Sequence, residues 1–300
     1  METEPREPLV FFLKSYAPDV EFAHRFLDSF TRHNVDGIPL ILVVPDSDID
    51  LFDAFTDAGH SVLAESRFEQ WLPYASIHGN SIGYTHHQVI RLSFWELGLA
   101  QNYLNVDSEM VFLRDFHVAD FLADDITPFT FLSEDFDLWT DPAYRDSHFL
   151  RRREQMLAIK GALGWTDPRF PTMHGGGVYN YEALRLLRDE FMTPRGLTYS
   201  DLLKISPIPP TWHSFWVQYR QPYEVIPRRP WYLFIHNAEQ LIRLIVQGKS
   251  EADISENFLA LNLNTGFSRD AGLLDLTLPP RDVLARYSDS RALMSAAFGL

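Results

Sequence analysis

Two carboxylates stand one residue apart in the segment Asn102-Tyr-Leu-Asn-Val-Asp-Ser-Glu-Met-Val-Phe-Leu-Arg-Asp115. An apolar run leads into Asp107-Ser108-Glu109, and a second, Met110 to Leu113, follows at once. Alternate side chains of an extended backbone share a face, so Asp107 and Glu109 are expected to point the same way. Where a buried strand surfaces, such a pair can grip one divalent cation, and a hard cation held by few carboxylates fills its shell with phosphate oxygens. The alternative is a strand-end turn carrying two solvated acids. The triplet alone does not separate the two readings.

Other residues offer matching chemistry. Lys14, Ser15 and Tyr16 end an apolar run and combine a cation, a hydroxyl and an aromatic face. They could hold a nucleotide base with its ribose or phosphates, or simply cap a strand with a snorkelling lysine. Gln88, Arg91 and Trp95 share one helical face and could hydrogen-bond a phosphate or a sugar; a solvated face is the alternative. His86 and His87 are adjacent, so on a helix they diverge, and both are expected at the surface or at a cap. His174-Gly175-Gly176-Gly177 lacks phosphate-loop spacing, but three glycines on a strand permit close approach by a ligand or by another segment. His236 ends the apolar run from Trp231 and could complete a carboxylate–carboxylate–histidine metal set.

The elements that must position these residues are legible as pattern. Leu9 to Leu13 and Pro39 to Val44 are continuous apolar runs, as expected of strands buried on both faces. Helical periodicity separates them at Phe22 to Phe30, and further helices are expected over Asp50 to Ala58 and Tyr84 to Ala100, the latter the longest. Ser61 to Ala64 reads as a third strand and Pro128 to Ser133 as another; His148 to Leu163 and Tyr181 to Phe191 read as helices. This alternation predicts an α/β fold with a mostly parallel twisted sheet flanked by helices and a Rossmann-like N-terminal half. Ligands bind beyond the carboxyl ends of the strands in such sheets, and Lys14 and Asp107 both fall there.

Composition excludes several classes. The 300 residues carry 41 acids against 26 bases, a net charge of -15, which argues against nucleic acid as a partner. Zero cysteines exclude disulfides, iron–sulfur clusters, thiolate zinc sites and cysteine nucleophiles. The polar, acidic N-terminus resembles no signal or transit peptide, and no apolar run approaches the roughly 18 residues of a membrane span. A cytoplasmic location is expected, with peripheral contact at a membrane surface as the open alternative. No repeat or linker stands out, so one domain over residues 1–300 is expected. No G-x-S-x-G, H-E-x-x-H or EF-hand pattern occurs.

An apolar strand ending in an acid-x-acid triplet, followed by an apolar strand and an arginine, resembles the metal site of GT-A glycosyltransferases. The order from Phe11-Phe-Leu-Lys-Ser-Tyr-Ala-Pro-Asp19 through Pro39 to Pro45, the Gln88/Arg91 helix and Tyr103 to Leu113 is similar to a bacterial GT-A-like family associated with surface-polysaccharide synthesis. The resemblance spans roughly residues 8–240. It implies a GT-A-like domain with a nucleotide-sugar-binding half at about 8–115, an acceptor and sugar half at about 116–250 and a C-terminal extension at about 251–300.

It further implies a metal-dependent transfer from a nucleotide-sugar donor to a glycan or other hydroxyl acceptor. Asp107 and Glu109, with His236, would ligate Mn2+ or Mg2+. Lys14, Ser15, Tyr16, Gln88, Arg91, Asp107 and Ser108 would lie on the donor side, and His174, Gly175 and Gly176 beside the sugar. An inverting reaction also needs a base facing the acceptor hydroxyl; Glu134 and Asp135 are the candidates, with Asp137 behind them, and a retaining one does not need it in that role. Trp212, His213 and Trp216 could form an acceptor-side wall or pack in the core. Two other classes stay open: a non-catalytic nucleotide- or sugar-binding protein, and, less favoured for want of a glycine-rich loop after the first strand, a sugar-nucleotidyltransferase.

Overall fold

A computed structural model describes residues 6–132, 150–168, 177–235, 240, 244 and 246–263. The main sheet is built first. Strand β1 (Val10–Lys14) is buried along its whole length, as is β2 (Leu40–Val44); β3 (Ser61–Ala64) lies outside them, and β4 (Asn102–Val106) pairs with the other side of β1. These four run parallel, and β7 (Val178–Asn180) closes the far edge antiparallel to β4, giving the order β3-β2-β1-β4-β7. The expected α/β class, with its parallel-rich sheet between helices, is what the chain adopts.

Continuous apolar runs are needed because both faces of this sheet are covered. Val10 and Phe12 join one core with Ile41, Val43 and Tyr103, while Phe11 and Leu13 join the other with Leu40, Leu42 and Leu104. On the second face α1 (Val20–His33) packs through Phe26 and Phe30. There Phe11 meets Phe30, Phe112, Phe116 and Phe121 with ring centroids 5.1–5.8 Å apart, mostly in the edge-on or tilted contacts that aromatic quadrupoles favour. The first face is covered by α3 (Ile82–Ser93) and by the C-terminal half, including α4 (Leu150–Leu163), α5 (Tyr181–Leu186), α6 (Tyr199–Ile205) and α7 (Pro209–Arg220).

Two further sheets are small. β5 (Met110–Phe112) leaves the main sheet and pairs antiparallel with β10 (Ala260–Leu263), which lies between β5 and the parallel β9 (Tyr232–Ile235). β6 (Phe129–Phe131) pairs with β8 (Ile226–Arg228).

Several sequence expectations need correction. The Tyr84–Ala100 helix is shorter and starts earlier: α3 ends at Ser93, and a 3₁₀ turn, Phe94–Leu97, is closed by Gly98 at φ 66°. The Asp50–Ala58 helix is a 3₁₀ segment, Asp46–Phe52, followed by the short α2 (Asp53–Asp57). The Pro- and Trp-rich stretch after Ile205 holds α7, with Pro209 and Pro210 in its first turn, where proline's missing N–H costs no intrahelical bond. Trp212, His213 and Trp216 are core residues, not a wall: their side chains are buried, and the indole nitrogens of the two tryptophans donate to backbone carbonyls. Among the described residues no helix is long and apolar enough to cross a membrane.

His213 carries a measurable consequence. Its ring stacks on Tyr179 at 4.5 Å, Nε2 accepts from the Asn180 N–H at 3.4 Å, and burial pushes its pKa down to about 3. The unfolded histidine titrates near 6.5. As pH falls below that value the unfolded chain binds a proton that the fold excludes, so stability declines toward pH 3, by several kcal/mol from this residue alone. His213→Phe keeps the ring and removes the proton site. Urea unfolding at stepped pH should show a flatter acid limb for the variant; an unchanged slope between pH 6.5 and 4 would refute the assignment.

Candidate functional site

The strand order reverses between β1 and β4: β2 and β3 continue from one side of β1, and β4 lies on the other. Loops diverge at such a switch point and leave a crevice beyond the strand ends. A cleft of about 630 Å³ opens there. Leu13 pairs with Val106, so Lys14 and Asp107 emerge side by side. The cleft is lined by every donor-side residue expected from the sequence that is described, Lys14, Ser15, Tyr16, Gln88, Arg91, Asp107 and Ser108, and by Glu109. Glu134, Asp135, His174, Gly175, Gly176 and His236 lie outside the described residues.

Local geometry explains the placement. Strand alternation turns Lys14 toward the face that α3 covers, the face of Val10 and Phe12. Its ammonium donates to the Ser15 carbonyl at 3.0 Å and pairs with Glu65, at the end of β3, at 3.1 Å. Burial lowers the Lys14 pKa, and the nearby carboxylates of Glu65, Asp48 and Asp19 work against that shift. Glu65 also meets His86 Nδ1 at 2.6 Å, while His86 Nε2 faces the Pro73 carbonyl at 3.1 Å. His86 is therefore the outer prop of the lysine, not a cap.

Asp107 does not continue an extended strand. The Met110 N–H donates to the Asp107 carbonyl at 3.1 Å, so Asp107-Ser-Glu-Met110 forms a tight turn. The alternation expected to align the two acids does not operate there; the turn brings both into the cleft instead. The Asp107 carboxylate accepts from the Arg91 guanidinium on one oxygen and faces Asn262 Nδ2 at 3.5 Å on the other. Burial works most strongly against the Arg91 charge, but Asp107, with Tyr179 and Tyr84, holds the pKa above the ordinary arginine value. Arg91's own backbone is tethered, since the Tyr103 hydroxyl donates to its carbonyl at 2.7 Å.

Gln88 and Arg91 thus lie on a buried face turned toward the cleft, and Trp95 sits in the core with its indole nitrogen donating to the Tyr199 hydroxyl at 3.0 Å. His87 was expected at the surface. It lines the cleft, and burial, then the charges of Arg91 and Lys14, drive its pKa well below the ordinary value, so the ring is neutral. Sequence reasoning also missed Asn262 on β10, Arg152 on α4 and the wall from Pro207 to Pro210. These residues are more than forty positions from the acidic triplet, and no local spacing connects them to it.

Two features define what the cleft can do. Ser15 Oγ, His87 Nε2, Arg91 Nε and Asn262 Oδ1 are buried without a hydrogen-bond partner among the described residues. These four belong to residues that line one cleft, and they are groups that a polar ligand could satisfy. The charges along the cleft are four acids, Asp19, Glu65, Asp107 and Glu109, against three bases, Lys14, Arg91 and Arg152. An acid-rich, oxygen-rich rim with two carboxylates on one turn suits a hard divalent cation. Among the described residues no three His, Cys, Asp or Glu side chains form a ligand group.

The Arg91–Asp107 pair is testable as a structural coupling. The Arg91 side chain is 11% exposed and that of Asp107 27%. Removing one partner of a buried pair costs about 3–5 kcal/mol, and the partial exposure of Asp107 reduces this to about 2 kcal/mol for Arg91→Met. Urea unfolding of Arg91→Met, Asp107→Asn and the double variant should give less than the sum of the two single losses. Strict additivity would show that the pair does not couple.

Comparison with known proteins gives likeness in structure alone. Mouse xyloside xylosyltransferase 1, in its apo form, superposes with a TM-score of 0.46 at 9% identity, over 86% of this chain and 98% of that one. The galactosyltransferase LgtC, in complex with donor and acceptor sugar analogs, does so with a TM-score of 0.42 at 11% identity, over 96% and 95%. No family model and no curated protein matches the chain. At these values the likeness carries no residue-by-residue correspondence.

Proposed function

We propose that the protein is a glycosyltransferase taking a sugar from a nucleotide-sugar donor, with a divalent cation, to a glycan or other hydroxyl acceptor. The observation that carries this reading is the cleft at the β1/β4 switch point, where unpartnered buried polar atoms stand beside two carboxylates and two cationic side chains. Lys14 and Arg91 would face the donor diphosphate and oppose its growing negative charge electrostatically. Ser15 and Tyr16 would meet the ribose and base, and neutral His87 an uncharged hydroxyl. Asp107 and Glu109 would hold Mn2+ or Mg2+, which when bound neutralises charge on the leaving diphosphate.

The segment from Pro207 to Pro210 suits a different group. Of Pro207, Ile208, Pro209 and Pro210, three lack an N–H, so this side of the cleft is apolar and poor in donors. The apolar face of an acceptor sugar packs against such a surface. For an inverting transfer the base is proposed among Glu134 and Asp135, a few residues beyond β6 in sequence.

The Arg91–Asp107 pair supports a second reading, because it already engages one of the two acids. A nucleotide- or sugar-binding protein without transfer activity would keep the cleft and lose turnover. A thermal-shift panel of UDP-, GDP-, dTDP- and CMP-sugars, with and without manganese, separates these cases. The transferase reading expects one nucleotide class to raise the melting temperature with metal, together with sugar transfer or slow donor hydrolysis. Asp107→Ala and Glu109→Ala should each abolish that turnover while retaining the fold. A shift without transfer or hydrolysis favours the binding protein, and no shift with any donor defeats both readings.

A further inference from the structure

Glu65 is engaged from two sides. Its Oε2 pairs with the Lys14 ammonium at 3.1 Å, and its Oε1 faces His86 Nδ1 at 2.6 Å. The other ring nitrogen of His86, Nε2, faces the Pro73 carbonyl at 3.1 Å. Carbonyl and carboxylate oxygens have no hydrogen to donate, so each contact needs a proton on the histidine. The ammonium on its second oxygen keeps Glu65 ionised. Both ring nitrogens are then donors, which only the imidazolium form allows.

One carboxylate is thus shared by two cations, and the cations differ in position. Lys14 and Glu65 line the cleft, whereas His86 is not among the described residues that line it. Other charges also act on Lys14: Asp19 in the turn after β1 and Asp48 in the 3₁₀ segment attract it, and His87 on α3 feels its charge. The Asp48 carboxylate is already engaged by the Ala17 N–H and the Ser47 hydroxyl, each at 2.8 Å.

An anion entering the cleft competes with Glu65 for Lys14. Were the ammonium its one partner, drawing Lys14 away would strand a carboxylate whose side chain is only 15% exposed. That carboxylate would also repel the incoming anion. A second cation behind Glu65 removes both penalties.

We propose that His86 is a positioning residue in its charged form, balancing Glu65 so that Lys14 can pass to the phosphates of a bound donor. The inference rests on the reading of Lys14 as a contact of the donor diphosphate, and it assigns a role to a side chain outside the cleft. The Pro73 carbonyl completes the device: by holding Nε2–H it aims Nδ1 at Glu65.

The charge can be read directly. Full-length protein carrying isotope-labelled histidine is studied by nitrogen NMR at neutral pH, where an isolated histidine is mostly uncharged. The His86 signals are identified by their absence from His86→Gln. Both ring nitrogens should show the shifts of an imidazolium, and in Glu65→Gln one of them should move to the unprotonated position. A neutral ring in the wild type overturns the proposal.

The coupling is read by calorimetric titration with whichever UDP-, GDP-, dTDP- or CMP-sugar raises the melting temperature most. His86→Gln should bind it roughly tenfold more weakly, the loss expected of one charge-assisted hydrogen bond. His86→Arg, which keeps a donor cation there, should recover most of that affinity. In a Glu65→Gln background His86→Gln should change little, because the carboxylate it balances is gone. Equal losses in both backgrounds, or none in either, would show that His86 does not position Lys14, while the transferase reading stands. If no nucleotide sugar binds the wild type, the positioning role falls together with that reading. Should His86→Gln not fold, His86→Arg supplies the NMR assignment, and a ring that turns neutral on donor binding overturns the proposal.

Discussion

The contact between Arg91 and Asp107 ties together every part of the molecule that meets at the cleft. Arg91 projects from α3, which covers one face of the main sheet; Asp107 ends β4 at the centre of that sheet. The turn that follows Asp107 throws the chain into β5 and so into the small sheet, whose Asn262 returns to the same carboxylate. One ion pair thus joins a helix and two sheets. Its cost is desolvation on both sides, which is larger for Arg91, the more buried partner. The tether from Tyr103 to the Arg91 backbone keeps the helix from drifting and makes the geometry reproducible.

The sheet's two-sided burial dictates where charge can surface. Along β1 every side chain is buried, Lys14 included, so a cation can be tolerated only at the strand's end and only with a partner. Glu65 supplies it from the end of β3, and His86 on α3 braces Glu65. The same arrangement then recurs on the other side of the switch point with the sign exchanged: a strand-end carboxylate, Asp107, braced by a helical cation, Arg91. The two pairs offset most of each other's charge within the cleft. Under the proposed function, a nucleotide diphosphate would bring a divalent cation to balance the charge it adds there.

How much of this was written in local sequence differs by residue. The strands β1, β2 and β4 were legible because full burial demands uninterrupted apolar runs, and the position of Lys14 and Asp107 at their ends followed from the fold class. The relation of Asp107 to Glu109 was legible only as proximity; a tight turn, not strand alternation, puts them in the cleft. His87 was misread because the divergence of adjacent helical side chains assigned it, with His86, to the surface or to a cap. On α3 the two rings instead point to opposite tasks, one bracing Glu65 and one lining the cleft. Trp212 and Trp216 were ambiguous because aromatic composition does not distinguish a sugar platform from a core, and here the indole N–H groups find backbone carbonyls within the core. Asn262 was silent in sequence: its meaning comes wholly from a pairing across about 150 residues.

The cleft is asymmetric, and that asymmetry constrains any substrate. Its lining includes strand ends and α3, with charges and with donors and acceptors unpartnered among the described residues. It also includes the start of α7. A helix N-terminus normally offers free N–H groups to an anion, but here the first two helical positions are proline, and the next N–H groups, of Thr211 and Trp212, are engaged with the Ile208 carbonyl at 3.1 and 3.3 Å. The helix start is thereby denied to phosphate and left as an apolar surface. Under the proposed function, a bound molecule would meet Lys14 and Arg91 with its charged part and Pro207 to Pro210 with its carbon-rich part. The apolar segment would then constrain orientation along with the charges.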